Sequence, residues 1–134
     1  MNTNYTNKNN KLVYPELSYL LTGICFNVHN QLGRYAREKQ YGDKIAEELE
    51  LAKINFEREF PVEKTGNIVD FLIENKIILE LKAKPMMLKD DYYQIQRYLQ
   101  VLDKKLGLLV NFRNRYLKPF RIVKIETDAR KHFI

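Results

Sequence analysis

The sequence predicts an α/β fold: a mixed β-sheet flanked by helices, with elements in the order α-α-β-β-β-α-β-β. Three observations carry that prediction. Apolar residues recur at three- and four-residue steps through the first third, alternate at two over residues 54–84, and return to the helical step before two further apolar runs. The chain has 134 residues, 45% hydrophobic and 30% charged, the balance of one soluble domain with a single core.

Residues 1–11 are polar and Asn-rich and read as a disordered tail, which leaves 12–134 as one domain. From Pro15, a helical stripe runs through Leu17, Leu20, Leu21, Ile24, Cys25, Val28 and Leu32 until Gly33 ends it. A second helix over residues 36–52 continues through Tyr41, Ile45, Leu49 and Ala52. Glu38 precedes Tyr41 by three residues and Ile45 by seven, so its carboxylate is expected to turn inward. Residues 54–62, 67–73 and 76–84 then read as strands, with turn chemistry at Thr65-Gly66 and Glu74-Asn75 and a stop at Pro85. A third helix over 88–103 carries the stripe Leu88, Tyr92, Ile95, Leu99 and Leu102. Two more strands follow, an apolar one over 106–112 expected at the centre of the sheet and a less regular one over 120–125.

Several function classes drop out. A single cysteine, Cys25, forms no internal disulfide, and with only His29 and His132 beside it there is no zinc-ligand spacing. No apolar run approaches the roughly 18 residues needed to span a bilayer, and there is no apolar signal core, so a cytoplasmic, non-membrane protein is expected. Gly-rich phosphate loops and the GxSxG elbow are missing from the sequence.

The formal charge of +6 is unevenly placed. Residues 1–70 hold nine Lys/Arg against ten Asp/Glu, and residues 71–134 hold fourteen against seven. Residues 104–125 include Lys104, Lys105, Arg113, Arg115, Lys118, Arg121 and Lys124 and no acidic residue. Such a stretch suits a polyanion; a solvated basic face is the alternative.

The third strand ends Ile77-Ile78-Leu79-Glu80-Leu81-Lys82, and period two puts Glu80 and Lys82 on one face. Asp70 interrupts the strand before it. Burying such charges is costly unless they pair or hold a metal. A two-residue turn at Glu74-Asn75 sends Asp70 and Glu80 to opposite faces. A three-residue turn over 74–76 pairs Ile73 with Ile77 and sets Asp70 across from Glu80. In that register two close carboxylates raise one another's pKa or share a divalent cation, and oxygen ligands suit Mg2+ or Mn2+. Lys82 then orients water or neutralises charge developing on a phosphate. The competing reading is a plain salt-bridge cluster.

The Asp70…Glu80-Leu81-Lys82 pattern resembles the signature of the PD-(D/E)XK nuclease superfamily. The flanks add Val28-His29-Asn30-Gln31-Leu32-Gly33, Glu38 with Tyr41, Gln94-Ile95-Gln96-Arg97-Tyr98-Leu99 and Leu106-Gly107-Leu108-Leu109-Val110-Asn111-Phe112. In that order they resemble the GxxExxY proteins, a small bacterial and archaeal branch of that superfamily, from about residue 17 to 123. Tyr35 stands where the branch usually has its second glycine, and Val69 where the superfamily often has proline.

The resemblance implies a restriction-endonuclease-like fold and a Mg2+-dependent nuclease. It implies Asp70, Glu80 and Glu38 as metal ligands, Lys82 and Gln94 as catalytic partners, and Tyr98 facing the cleft. Arg113, Arg115, Lys118 and Arg121 are the expected contacts to nucleic acid, with DNA the expected substrate and a homodimer the expected assembly. The rival reading is a nuclease-fold module that binds nucleic acid or a partner protein without cutting.

Overall fold

The computed structural model describes residues 13–126. The tail expected over 1–11 and His132 lie outside the described residues. Three helices and five strands appear in the expected order: α1 (Pro15–Leu32), α2 (Glu38–Leu51), β1 (Phe56–Val62), β2 (Asn67–Ile73), β3 (Ile77–Lys82), α3 (Lys89–Leu102), β4 (Leu106–Asn111) and β5 (Phe120–Val123). The strands lie side by side in sequence order; β3 and β4 are parallel and all other neighbours antiparallel. The parallel pair follows from connectivity: α3 is the crossover that returns the chain to the edge where β3 began.

Helices cover both faces. Leu21, Cys25 and Val28 of α1 and Tyr41, Ile45 and Leu49 of α2 pack on Phe71, Ile73, Ile77, Leu79 and Val110. On the opposite face Ile95, Tyr98 and Leu99 of α3 pack on Val69, Leu72, Ile78 and Leu109. A strand covered on both faces reads as a near-continuous apolar run, and all six residues of β4 are buried, five of them apolar and the sixth Asn111. Pro15 opens α1 at a position where its missing N–H costs nothing, and Gly33, at φ 77°, closes it.

Three stripe positions fall outside the core, among them Ala52, which is exposed just past the end of α2. Leu20 is 54% exposed and Leu88, which precedes α3, is equally exposed. The α1 stripe is wider in sequence than the single face the sheet can cover. Close packing makes one glycine obligatory: a Cβ on Gly107 would lie 2.6 Å from Ile95 Cγ2, with the β3 backbone behind it. Gly107→Ala is therefore expected to cost about 1–3 kcal/mol, read as a lowered midpoint in urea unfolding.

Candidate active site

The site is built by a turn and a break. Glu74 and Asn75 take φ of 53° and 56°, and Lys76 N–H closes on the Ile73 carbonyl at 2.8 Å. This is the three-residue turn, and it pairs Ile73 with Ile77, Leu72 with Ile78 and Phe71 with Leu79. One further step would pair Asp70 with Glu80, but the backbone ladder ends there. Instead the Asp70 N–H donates to Glu80 Oε1 at 3.0 Å, and the Leu81 N–H donates to Asp70 Oδ2 at 2.7 Å. Each carboxylate takes the acceptor's place that a strand carbonyl would fill.

The other neighbour of β2 breaks at the same level. Arg58 pairs with Phe71 and Phe60 with Val69, while Glu59, between them, has φ 54° and makes no pair with Asp70. Phe71 belongs to the α1/α2 side of the core, whereas Val69 and Phe60 belong to the α3 side. The two-residue alternation thus reverses at Glu59 and Asp70 together, opening the sheet beside the paired carboxylates.

Burial, followed by the negative charge of Asp70, pushes the Glu80 carboxyl up to about 8. Burial also raises Asp70. These are the shifts expected of two acids held close in a partly dry site. Lys82 Nζ lies 3.9 Å from Glu80 Oε2 and 3.9 Å from Asp91 Oδ1, poised between two carboxylates without a hydrogen bond to either. The donor set is oxygen only. One oxygen of each acid is tied to a backbone N–H and the two side chains also meet each other; an all-oxygen donor set of this kind fits a hard divalent cation.

Glu38 is placed differently from expectation. Its side chain is exposed at the N-terminus of α2, and it lines a cleft of about 240 Å³ with Gly42, Arg58, Glu59, Asp70 and Leu81. Burial first and the Asp70 charge second raise its pKa. Among the described residues no three His, Cys, Asp or Glu side chains gather closely enough to hold a metal ion. Asp70 and Glu80 are brought together, and Glu38 lines the cleft with Asp70, near enough for the Asp70 and Lys82 charges and the Ala83 N–H to act on it. The reason is local: Glu38 is the first residue of its helix, so no preceding turn covers it although it shares the phase of Tyr41 and Ile45.

Gln94 and Tyr98 share a face of α3, as spaced, but line a separate groove of about 380 Å³ with Lys64, Thr65, Asn67 and Arg97. Tyr98 is buried, 4% exposed, which leaves no open ring face for stacking. Burial and then the Glu80 charge raise its pKa, and Gln94 hydrogen-bonds to it.

The basic segment is partly consumed by the fold. Arg121 donates to Ser18 Oγ at 2.7 Å and to the Val13 carbonyl at 2.9 Å, tying β5 to the start of α1, so it is not a free phosphate contact. Lys124 is buried against Asp103 and Glu126, and Lys104 bonds to Asn75. Arg115 and Lys118 are exposed. Arg113 is half-buried, with Nη2 3.4 Å from the Ala83 carbonyl, just past Lys82.

Four supporting residues escaped the sequence reading. Asp91 accepts the Leu88 N–H and pairs with Lys84 at 2.7 Å; burial pushes its carboxyl up, but Lys84 and that N–H outweigh it and hold it low. Asn111 clasps Lys84 through both backbone groups, at 3.1 and 2.8 Å, fixing the exit of β3. Arg58 pairs with Asp43 at 2.8 Å and lies over the Phe71 ring. Lys84 continues the Glu80/Lys82 alternation, a signal present in the sequence; Asp91 and Arg58 had none without the fold.

Comparison with known proteins adds three findings. The sequence profile of the PD-(D/E)XK nuclease superfamily matches residues 15–123, a span that holds every residue of the site. Among solved structures, one described as "Crystal structure of SSO0001" superposes with a TM-score of 0.50 at 19% identity, over 78% of this chain and 63% of that one. The chain thus spans just under two thirds of that protein, and the likeness is one of fold. No curated protein matches the sequence.

Proposed function

The chain belongs to the PD-(D/E)XK nuclease superfamily, and from that premise we propose that it is a divalent-metal-dependent nuclease acting on DNA, with residues 12–134 as its single domain. The observation that carries the proposal is the interlock of Asp70 and Glu80 at the open end of the β2–β3 ladder, with Lys82 beside it. Asp70 and Glu80 would hold Mg2+ or Mn2+, which supplies positive charge toward a phosphodiester's non-bridging oxygens.

The protein groups do the rest. Lys82, drawn toward Glu80 on one side and Asp91 on the other, is held at the carboxylate pair, where its ammonium orients the attacking water. Glu38, raised by burial and by Asp70 and lining the cleft with it, would accept a proton from that water. Gln94 acts through Tyr98, to which it hydrogen-bonds and whose hydroxyl feels the Glu80 charge. Arg113, Arg115 and Lys118 meet the nucleic-acid backbone. A homodimer is the proposed assembly, checked by light scattering on a sizing column. No described helix is long and apolar enough to cross a membrane.

The test is supercoiled plasmid incubated with the protein and Mg2+ or Mn2+. Nicked and linear products that EDTA abolishes are expected; an intact plasmid across both metals contradicts the proposal. One observation favours a second reading, a module that binds without cutting: only two of the three expected acids converge. Calorimetry separates the two, since a non-cutting module takes up no Mg2+.

A further inference from the structure

Two loops beside the candidate site are laced into one surface. The segment between α1 and α2 and the segment between β4 and β5 are joined by Arg34 Nε donating to the Arg113 carbonyl at 2.8 Å, and by His29 Nε2, 2.9 Å from the Asn114 carbonyl oxygen. Beneath them Tyr41 is fully buried and stacks on Phe112 at 4.3 Å. Its hydroxyl donates to the Gly33 carbonyl and accepts the Ala36 N–H at 3.2 Å. The turn between the helices is thereby fixed from below by a buried phenol.

On this braced base two tyrosines project into solvent. Tyr35 is 75% exposed, with the guanidinium carbons of Arg34 and Arg113 at 5.0 and 5.6 Å from its ring centre. Tyr116 is 77% exposed, with Arg115 at 5.4 Å. Residues 33–37 and 113–118 hold Arg34, Arg37, Arg113, Arg115 and Lys118 and no acidic residue. Arg113 also reaches the Ala83 carbonyl, so the surface adjoins the end of β3 that carries Lys82.

From this arrangement we infer that the surface binds an unpaired nucleic-acid strand, stacking bases on Tyr35 and Tyr116 and seating phosphates against the arginines. Cations alone serve a duplex, whose bases hide their π faces from a protein ring. Exposed aromatic rings flanked by guanidinium groups serve a strand whose bases are free. The bracing matters because a platform already ordered loses little freedom when the strand docks. The inference deepens the nuclease proposal and rests on it for one thing only, that the bound strand continues toward Asp70 and Glu80.

The experiment is fluorescence anisotropy in EDTA with a labelled single strand of about 20 nucleotides, as DNA and as RNA, and with the blunt DNA duplex. Wild-type protein is expected to prefer a single strand. Tyr35→Ala and Tyr116→Ala should each weaken single-strand binding about tenfold and leave duplex binding and thermal midpoint nearly unchanged, and Tyr35→Phe should restore it. Equal losses on duplex and single strand, no loss at either tyrosine, or no binding by wild type overturns the inference. Cleavage assays on the same proteins keep the two ideas apart. Tyrosine-dependent binding without cutting leaves the surface standing and removes turnover, while cutting with binding indifferent to both tyrosines does the reverse.

Discussion

Asp70→Asn is expected to lower plasmid cleavage in Mg2+ by about 10³-fold while leaving the fold intact. The amide keeps the shape of the carboxylate and still accepts the Leu81 N–H, so the interlock with β3 survives. What disappears is one of the two negative charges that would hold the cation. Lys82→Ala should fall by about 10²-fold, since Lys82 orients rather than ligates. Initial rates of nicking, compared at equal circular-dichroism midpoints, check both. Activity within a few-fold of wild type in either variant would contradict the assignment of the site.

The second large effect is on stability and follows from Glu80. In the folded protein its carboxyl titrates near 8, against 4.5 as its ordinary value, because it is buried and faces Asp70. Below about 4.5 both folded and unfolded chains carry the proton, and stability does not depend on this group. Between 4.5 and 8 the unfolded chain has released it and the folded chain has not, so the folded state binds more protons and stability falls as pH rises. Above 8 the loss is complete.

Glu80→Gln removes that loss, because a neutral amide meets no repulsion from Asp70 and its oxygen still accepts the Asp70 N–H. The variant is expected to melt well above wild type at pH 8 in EDTA and close to it at pH 5. Millimolar Mg2+ should raise the wild-type midpoint at pH 8 and leave the variant's nearly unmoved. A wild-type midpoint that is flat or rising from pH 5 to 8 in EDTA would contradict the account. The site is thus expected to be a place where stability is given up for chemistry.

Much of this architecture was legible from residues alone. The apolar spacing located all eight elements, with ends displaced by a residue or two where strands fray. The residues left the register of β2 on β3 open between two turn lengths; the functional reading predicts the three-residue turn at 74–76, which brings Asp70 to Glu80, and the turn observed is that one. The break at Glu59 and Asp70 was not legible. Strict period two treats each strand separately, and only the pairing shows both reversing face at one level.

Charge was the least transferable signal. The run from Lys104 to Lys124 reads as a uniform basic face, yet Arg121 and Lys124 are turned into the protein by partners far away in sequence. A long side chain on an edge strand reaches whatever carbonyl or carboxylate the neighbouring element presents, and the sequence does not say which. Glu38 shows the converse. Its helical phase pointed inward, but as the first residue of α2 it has no preceding turn to bury it, and it faces the cleft.

The measurement closest to the central claim is an anomalous difference map from a crystal soaked in Mn2+. The account predicts one ion within about 2.0–2.6 Å of oxygens from both Asp70 and Glu80, with Lys82 beside it and Glu38 lining the same cleft. An ion bound to neither carboxylate, or no ion at saturating Mn2+, would contradict it.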